Sequence, residues 1–436
     1  MNGTKLSSHL WFFEGFCRYL NPEYIVLLDV GTKPDDKGVV NLLKGFTDND
    51  VGGVTGLMSV DSEFPSLEGG DDSDEEEANC LTKWIKDKLF SIEKAQEYEY
   101  IIAHFLDKNA EGALGFLHVL PGAWSAYRYK ALIKSDDYEP NLLEHSYFKM
   151  ILNPDLEEKD YREANMYLAE DRILSLGIYT QTKEKYYLKY VPDAIAKTDP
   201  MKDHENLMKQ RRRWINSSLF AFLYVWKNYY FNSMESRHGF FDKYIKLNVS
   251  MVLALLSFVT SYLTPSIYFY VLYQTIAQIE PTSALCQIIA KAVSIIYIMV
   301  YLVAVAGGLT GAVWTKHAHI VSGVLSVFTF AMWGLVSYNI LAIYLGLGTT
   351  GINFRDFNQM SVLVMIGINL GLFFLVILMH VPTHLSFVWR LFKDQISYLA
   401  YQGAYAQTMV AHAFCNVDDV SWGTKGSTSA HGGKKY

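Results

Sequence analysis

The chain has 436 residues, half of them hydrophobic, which is enough for a catalytic domain and a membrane region. Its formal net charge of −7 provides no broad basic face, so nucleic acid is excluded as a main partner. Its four cysteines lie far apart, without the spacing of a zinc site or a disulfide framework, and the part outside the membrane reads as cytosolic.

The first residues lack the basic start, apolar core and small-residue cleavage site of a signal peptide, so an internal membrane helix is expected to direct insertion. Residues 9 to 20 place apolar side chains at helical spacing and stop before Asn21-Pro22. Tyr24 to Val30 (YIVLLDV) is a continuous apolar run that reads as a buried parallel strand, with Asp29 near its C-terminal end and Gly31-Thr32 opening a loop. Ligands of open α/β sheets gather at that end of a strand, although an Asp capping a loop is an equally ordinary reading. A helix is predicted over 38 to 46 and a core strand over 51 to 60. The run Asp71 to Glu77 then reads as a solvated acidic loop within 61 to 79.

Residues 81 to 106 are amphipathic and free of Gly and Pro, predicting one or two helices. Leu117 to Ala126 is apolar with Pro121-Gly122 in its middle, the pattern of a strand or turn lining a pocket. The helical pattern of 163 to 176 carries Glu170-Asp171-Arg172 inside it, and carboxylates in such a setting are either paired or chemically active. A strand is predicted over 186 to 191. A helix follows over 205 to 226, carrying Gln210-Arg211-Arg212-Arg213-Trp214 and an apolar, aromatic continuation suited to the membrane surface. Its arginines fit two readings, a positive-inside anchor and a bidentate diphosphate site.

Four runs, 247–273, 284–307, 320–346 and 360–381, are long enough to span a bilayer. Lys and Arg gather on one side of them, including Lys316 between the second and third, while the first–second loop has none and the third–fourth loop only Arg355. This asymmetry places the N-terminal domain and the C-terminal tail in the cytosol. Residues 395 to 414 predict one more amphipathic helix, and the tail after 426 reads as flexible.

The strand-end Asp29, the Glu170-Asp171 pair and Gln-x-x-Arg-Trp resemble the processive family 2 glycosyltransferases. The longer segments WFFEGFCRYLNPEYIVLLDVGTKP, VLPGAWSAYRYKAL, NMYLAEDRIL, QRRRWINSSLF and NVDDVSWGTKG resemble the chitin synthases in particular, more than synthases of hyaluronan or cellulose type. The resemblance implies an α/β GT-A-like glycosyltransferase domain over 1–204. It implies interfacial helices over 205–246, a transmembrane region over 247–381 and a cytosolic segment over 382–426.

The implied reaction transfers N-acetylglucosamine from UDP-N-acetylglucosamine to a growing β-1,4 chain, with inversion and translocation of the polymer across the plasma membrane or an intracellular vesicle membrane. By that resemblance Asp171 is the general base, and Asp29 holds a divalent metal, Mg²⁺ or Mn²⁺. Glu170, Arg172, Gln210, Arg213 and Trp214 contact substrate. Pro121 and Gly122 lie where product leaves, and Trp422, Thr424 and Lys425 border the site. UDP-N-acetylglucosamine, the chitin chain and membrane lipid are the implied partners, with a homo-oligomer left open. Members of the family begin with a nucleotide-binding strand–helix unit, and nothing ahead of Asp29 resembles it. An incomplete domain with low turnover is therefore expected, and an inactive membrane scaffold or partner subunit is the alternative.

Overall fold

The computed structural model describes residues 5–60, 91–133, 170–180, 184–344 and 385–421, with isolated positions between them, among them 147–148, 162, 164–165 and 168. The acidic loop, most of the predicted span 360–381, and Trp422, Thr424 and Lys425 lie outside the described residues.

Helix α1 covers residues 5–20, its middle turns, Trp11–Cys17, being wound wider than an α-helix. It ends where Asn21 turns left-handed at φ 42°, a conformation Asn tolerates, and Pro22 follows without the N–H that another turn would need. Strands β1 (Tyr24–Leu28) and β2 (Thr32–Pro34), helix α2 (Gly38–Lys44) and strand β3 (Val51–Val60) come next. Helix α3 (residues 92–114), β4 (Trp124–Arg128), α4 (Glu170–Tyr179) and β5 (Tyr187–Thr198) complete the α/β part.

These five strands form one sheet in the order β1-β4-β3-β5-β2, with β3 parallel to β5 and every other pairing antiparallel. The prediction for 24–30 is thereby corrected. The strand ends at Leu28, occupies an edge of the sheet among the described residues and runs antiparallel to β4, leaving Leu28 48% and Val30 84% exposed. An apolar run records a strand but not which neighbour it finds. The fully buried strand is β3, whose alternate side chains feed the two faces. Val54 and Met58 pack with α2 and Trp124, while Leu57 packs with α1, α3 and α4.

Strand β5 is longer than predicted because it continues past Pro192. Its register against β3 jumps from Gly56↔Val191 to Leu57↔Ile195, so 192–194 bulge out and Pro192 has no ladder bond to donate. The Ala194 carbonyl in that bulge accepts a 2.9 Å bond from the Trp124 indole N–H. Gly56 lies beneath both groups, and a Cβ there would stand 1.9 Å from the Ala194 oxygen and 2.3 Å from Trp124 Nε1.

Helix α5 (His204–Glu235) leads to three helices long and apolar enough to cross a membrane. They fall at Asp242–Ala277 (α6), within α7 (Ala284–Gly308) and at Val313–Ala342 within α8 (Ala312–Tyr344). Even the shortest, with 25 residues, is longer than the roughly 30 Å of a bilayer core at ~1.5 Å per residue. The third begins earlier than predicted, so Lys316 lies inside α8 rather than in a connecting loop. The turn before it is only Leu309–Gly311, made possible by the left-handed Gly311 at φ 65°. Helix α9, residues 385–415, begins before the predicted residue 395.

The α/β part and the membrane helices share their cores. Leu247 and Met251 of α6 and Phe387, Val388 and Leu391 of α9 pack into the cluster built by α1, α3 and α4. Leu207 and Met208 of α5 join the cluster of α6, α7, α8 and α9.

Gly56→Ala should destabilise the protein by about 3 kcal/mol, near the upper end of the usual overpacking cost, because backbone and indole both block the new methyl. Gly239→Ala, with nothing within 4 Å of its Cβ, is the matched control. Thermal unfolding in detergent should show a lowered midpoint for the first variant and not for the second.

Candidate functional site

Asp29 directly follows β1, where Gly31 at φ 90° and a 3.0 Å bond from Thr32 N–H to the Asp29 carbonyl turn the chain back into β2. Glu170 and Asp171 form the first turn of α4, where the positive end of the helix favours carboxylates. This corrects the expectation that the three charges lie inside a helix running from 163, since residue 168 forms a turn ahead of them.

Lys5 of α1 joins the two carboxylate-bearing elements. Its Nζ stands 3.0 Å from Asp29 Oδ1 and 3.1 Å from Glu170 Oε1. Burial alone would lower the Lys5 pKa, but Glu170, Asp29 and Asp171 outweigh it and hold the ammonium charged. Glu170, only 5% exposed, is pushed up to about 7 by burial, with Lys5 pulling the other way.

Gly122 closes this floor. A Cβ on it would meet Lys5 Nζ at 2.8 Å and Glu170 Oε1 at 3.7 Å. Its loop is fastened to α4, for Leu120 N–H donates to Ser175 Oγ (3.0 Å), which donates to the Asp171 carbonyl (2.9 Å). Pro121 accepts from Trp124 N–H (2.9 Å) and so starts β4.

Arg213 of α5 lies within electrostatic reach of Glu170, Asp29 and Asp171, although burial has the larger effect and lowers its pKa. Asp171 also acts on Lys108 and Arg172, while Glu111 adds a second negative charge beside that pair of cations. Arg172 therefore faces Asp171 and Glu111, and no contact links it to Lys5 or Asp29.

The neighbouring arginines are not free for a lipid surface, as the anchor reading expects. Arg211 Nη2 donates to Glu99 Oε2 at 2.6 Å, and its Nη1 donates to Gln210 Oε1 at 3.1 Å. Arg212 Nη1 pairs with Asp419 Oδ2 at 2.8 Å, and its Nη2 donates to Ser421 Oγ at 3.1 Å. Trp214 lies under the Arg211 guanidinium, 4.3 Å from ring centroid to Cζ, and meets Tyr100 edge-on.

The structure thus gathers Asp29, Glu170, Asp171, Gly122 and Arg213, while Gln210 and Trp214 lie on the same helix as Arg213 and contact Arg211. Sequence reasoning missed Lys5, Lys108, Glu99 and Asp419. A signal existed for Glu99 alone, since it stands between Tyr98 and Tyr100 in an otherwise amphipathic helix. Among the described residues no cluster of three His, Cys, Asp or Glu side chains is placed to hold a metal. Asp29 nevertheless fits one, because its carboxyl is 43% exposed and hard, and Mg²⁺ is commonly held by one carboxylate together with substrate phosphates.

A family model described as a chitin synthase-like glycosyltransferase domain matches residues 1–67 and 76–229, which contain every one of these gathered residues. Chitin synthase 1 of Phytophthora sojae (strain P6497) is 30% identical over 431 residues, covering 97% of this chain and 43% of that protein. Chitin synthase 2 of Mycosarcoma maydis is 29% identical over 449 residues, covering 98% of this chain and 38% of that protein. The chain therefore spans well under half the length of these curated relatives.

The raised Glu170 carboxyl makes stability depend on pH with a definite sign. Between the ordinary 4.5 and about 7 the folded chain keeps a proton that the unfolded chain has lost, so this contribution is present below 4.5 and disappears as pH rises through 7. Wild type should therefore lose stability relative to Glu170→Gln between pH 5 and pH 8. Parallel thermal unfolding of the two proteins checks it, and a wild type that gains relative stability contradicts it.

Proposed function

Because the chain belongs to the chitin synthase family, we propose that it carries out transfer of N-acetylglucosamine from UDP-N-acetylglucosamine to the non-reducing end of a β-1,4 chain, on a GT-A-type domain. The observation that carries this reading is the meeting of Asp29, Glu170, Asp171 and Arg213 around Lys5 at the end of one strand and the start of one helix.

Asp171 is the general base. Its carboxylate takes the proton of the acceptor 4-hydroxyl while that oxygen bonds to the anomeric carbon from the face opposite the leaving group. The bond from that carbon to the phosphate oxygen breaks, the electron pair leaves with UDP, and the configuration inverts. Asp171 lies in the field of three cations, Lys5, Lys108 and Arg172. Arg213 supplies a planar guanidinium that suits diphosphate oxygens, and Gln210 and Trp214 extend the site toward the acceptor. Asp29 would hold Mg²⁺ or Mn²⁺, which when bound neutralises the departing diphosphate. Gly122 leaves room over the Lys5–Glu170 contact that a side chain would fill.

The membrane helices next to the domain support extrusion of the polymer across the plasma membrane, with the domain in the cytosol where the nucleotide sugar is made. Arg212 holds Ser421, one residue from Arg213 along α5, so the C-terminal segment is fastened beside the site.

Membranes containing the protein should incorporate labelled N-acetylglucosamine into insoluble, chitinase-sensitive polymer. Asp171→Asn should lower that incorporation by about 10²-fold or more while leaving expression intact. Undiminished polymer from Asp171→Asn rules out the base assignment.

A further inference from the structure

We propose that Glu99 and Arg211 are positioning residues that fix the plane of the Trp214 indole and so seat the acceptor sugar. The inference rests on the reading of Trp214 as part of the acceptor site.

Three elements meet at this point. Glu99 and Tyr100 come from α3, Arg211 and Trp214 from α5, and Tyr405 from α9. Arg211 and Trp214 are three residues apart on one helix and so share a face. The Arg211 guanidinium stands between two rings, 4.3 Å from the Trp214 centroid and 5.5 Å from that of Tyr405. Its orientation is set by bonds from both Nη atoms, 2.6 Å to Glu99 and 3.1 Å to Gln210, because a planar cation held at two corners has little freedom to tilt. The adjacent Tyr100 meets the same indole at 6.3 Å and 62°, so consecutive residues of α3 define both the face and the edge of Trp214. Tyr100 also lies in the field of Asp29, which ties this corner to the carboxylate pocket.

A buried ion pair is a weak source of stability, since apolar residues of similar volume often serve as well or better. The Arg211 side chain is nevertheless only 5% exposed, and it is held by a charge rather than by apolar packing alone. What that arrangement provides, and what apolar packing would not, is a fixed direction for a flat cation. One face of the indole is then occupied by the guanidinium. Trp214 is half-buried, and its remaining face is assigned to the flat side of a sugar ring.

The test is a double-mutant cycle on the full chain in detergent. Binding of a β-1,4-linked N-acetylglucosamine tetramer is measured by calorimetry for wild type, Glu99→Gln, Trp214→Ala and the double variant. Glu99→Gln should weaken binding about tenfold when Trp214 is present and leave it within about twofold when Trp214 is absent, since the carboxylate acts only through the indole. Arg211→Lys, which keeps the charge but loses the flat face, should reproduce the Glu99→Gln loss and serves if Glu99→Gln does not fold. Equal losses with and without Trp214, or no loss in any variant with Trp214 present, overturn the proposal while leaving the glycosyl-transfer reading intact. Failure of wild type to bind the tetramer overturns the acceptor role of Trp214 and this proposal together. Coupling observed alongside an Asp171→Asn protein that still polymerises supports the positioning role and removes only the base assignment.

Discussion

Three consecutive arginines on one helix cannot face the same way. An α-helix turns about 100° per residue, so Arg211, Arg212 and Arg213 point to three different neighbours. Arg211 reaches Glu99 on α3, Arg212 reaches Asp419 beyond α9, and Arg213 faces the Glu170–Asp171 turn and Asp29. The first two side chains are 5% and 4% exposed, and a buried cation must find an anion or lose its charge. That requirement pins α5 among α3, the C-terminal segment and α4. That pinning is what brings Arg213 to the carboxylates, which Lys5 of α1 gathers from the other side.

The same requirement joins the catalytic part to the membrane. Asn216, one turn beyond Arg212, donates to the Ala413 carbonyl at 2.9 Å. Asn416 donates to the Gly308 carbonyl at 2.7 Å, at the C-terminal end of α7, where the Gly311 N–H also donates to it at 3.2 Å. The segment from 412 to 421 is therefore held by α5 on one side and by a membrane helix on the other, with Asn165 Nδ2 donating to the Val417 carbonyl near α4. With two hydrophobic clusters also running across the boundary, a rearrangement at the membrane helices would be felt at the carboxylates through packed side chains rather than through a flexible linker.

Much of the fold was legible where the signal is local. The end of α1 at Asn21-Pro22, the strand 51–60 and the position of Asp29 at a strand exit are written in short-range patterns of apolar residues, Gly, Pro and Asn. What could not be read is pairing. YIVLLDV looks the same whether it lies in the middle of a sheet or at its edge. The continuation of β5 past Pro192 depends on a bulge against Gly56 that local spacing does not contain. The Glu99–Arg211 and Arg212–Asp419 pairs join residues more than a hundred positions apart, and a run of arginines beside an apolar stretch resembles a membrane anchor until those partners are found. Lys5 carried no signal, because a lysine in NGTKLSS reads as a solvated end.

That lysine accounts for how the carboxylates coexist. Two acids adjacent in sequence, with a third close by, would repel one another in a half-buried corner, and the most buried would give up its charge first. The Lys5 ammonium lies 3.0 Å from Asp29 and 3.1 Å from Glu170, so one cation moderates the repulsion between the two and counters the burial of Glu170. Asp171, which has no direct contact with Lys5, still lies in its field. Asp29 keeps more solvent than Glu170, and the buried Glu170 fixes the lysine that stands between them. A cation placed by α1 thus lets acids on two other elements stand close together, and it offsets part of the burial that raises Glu170.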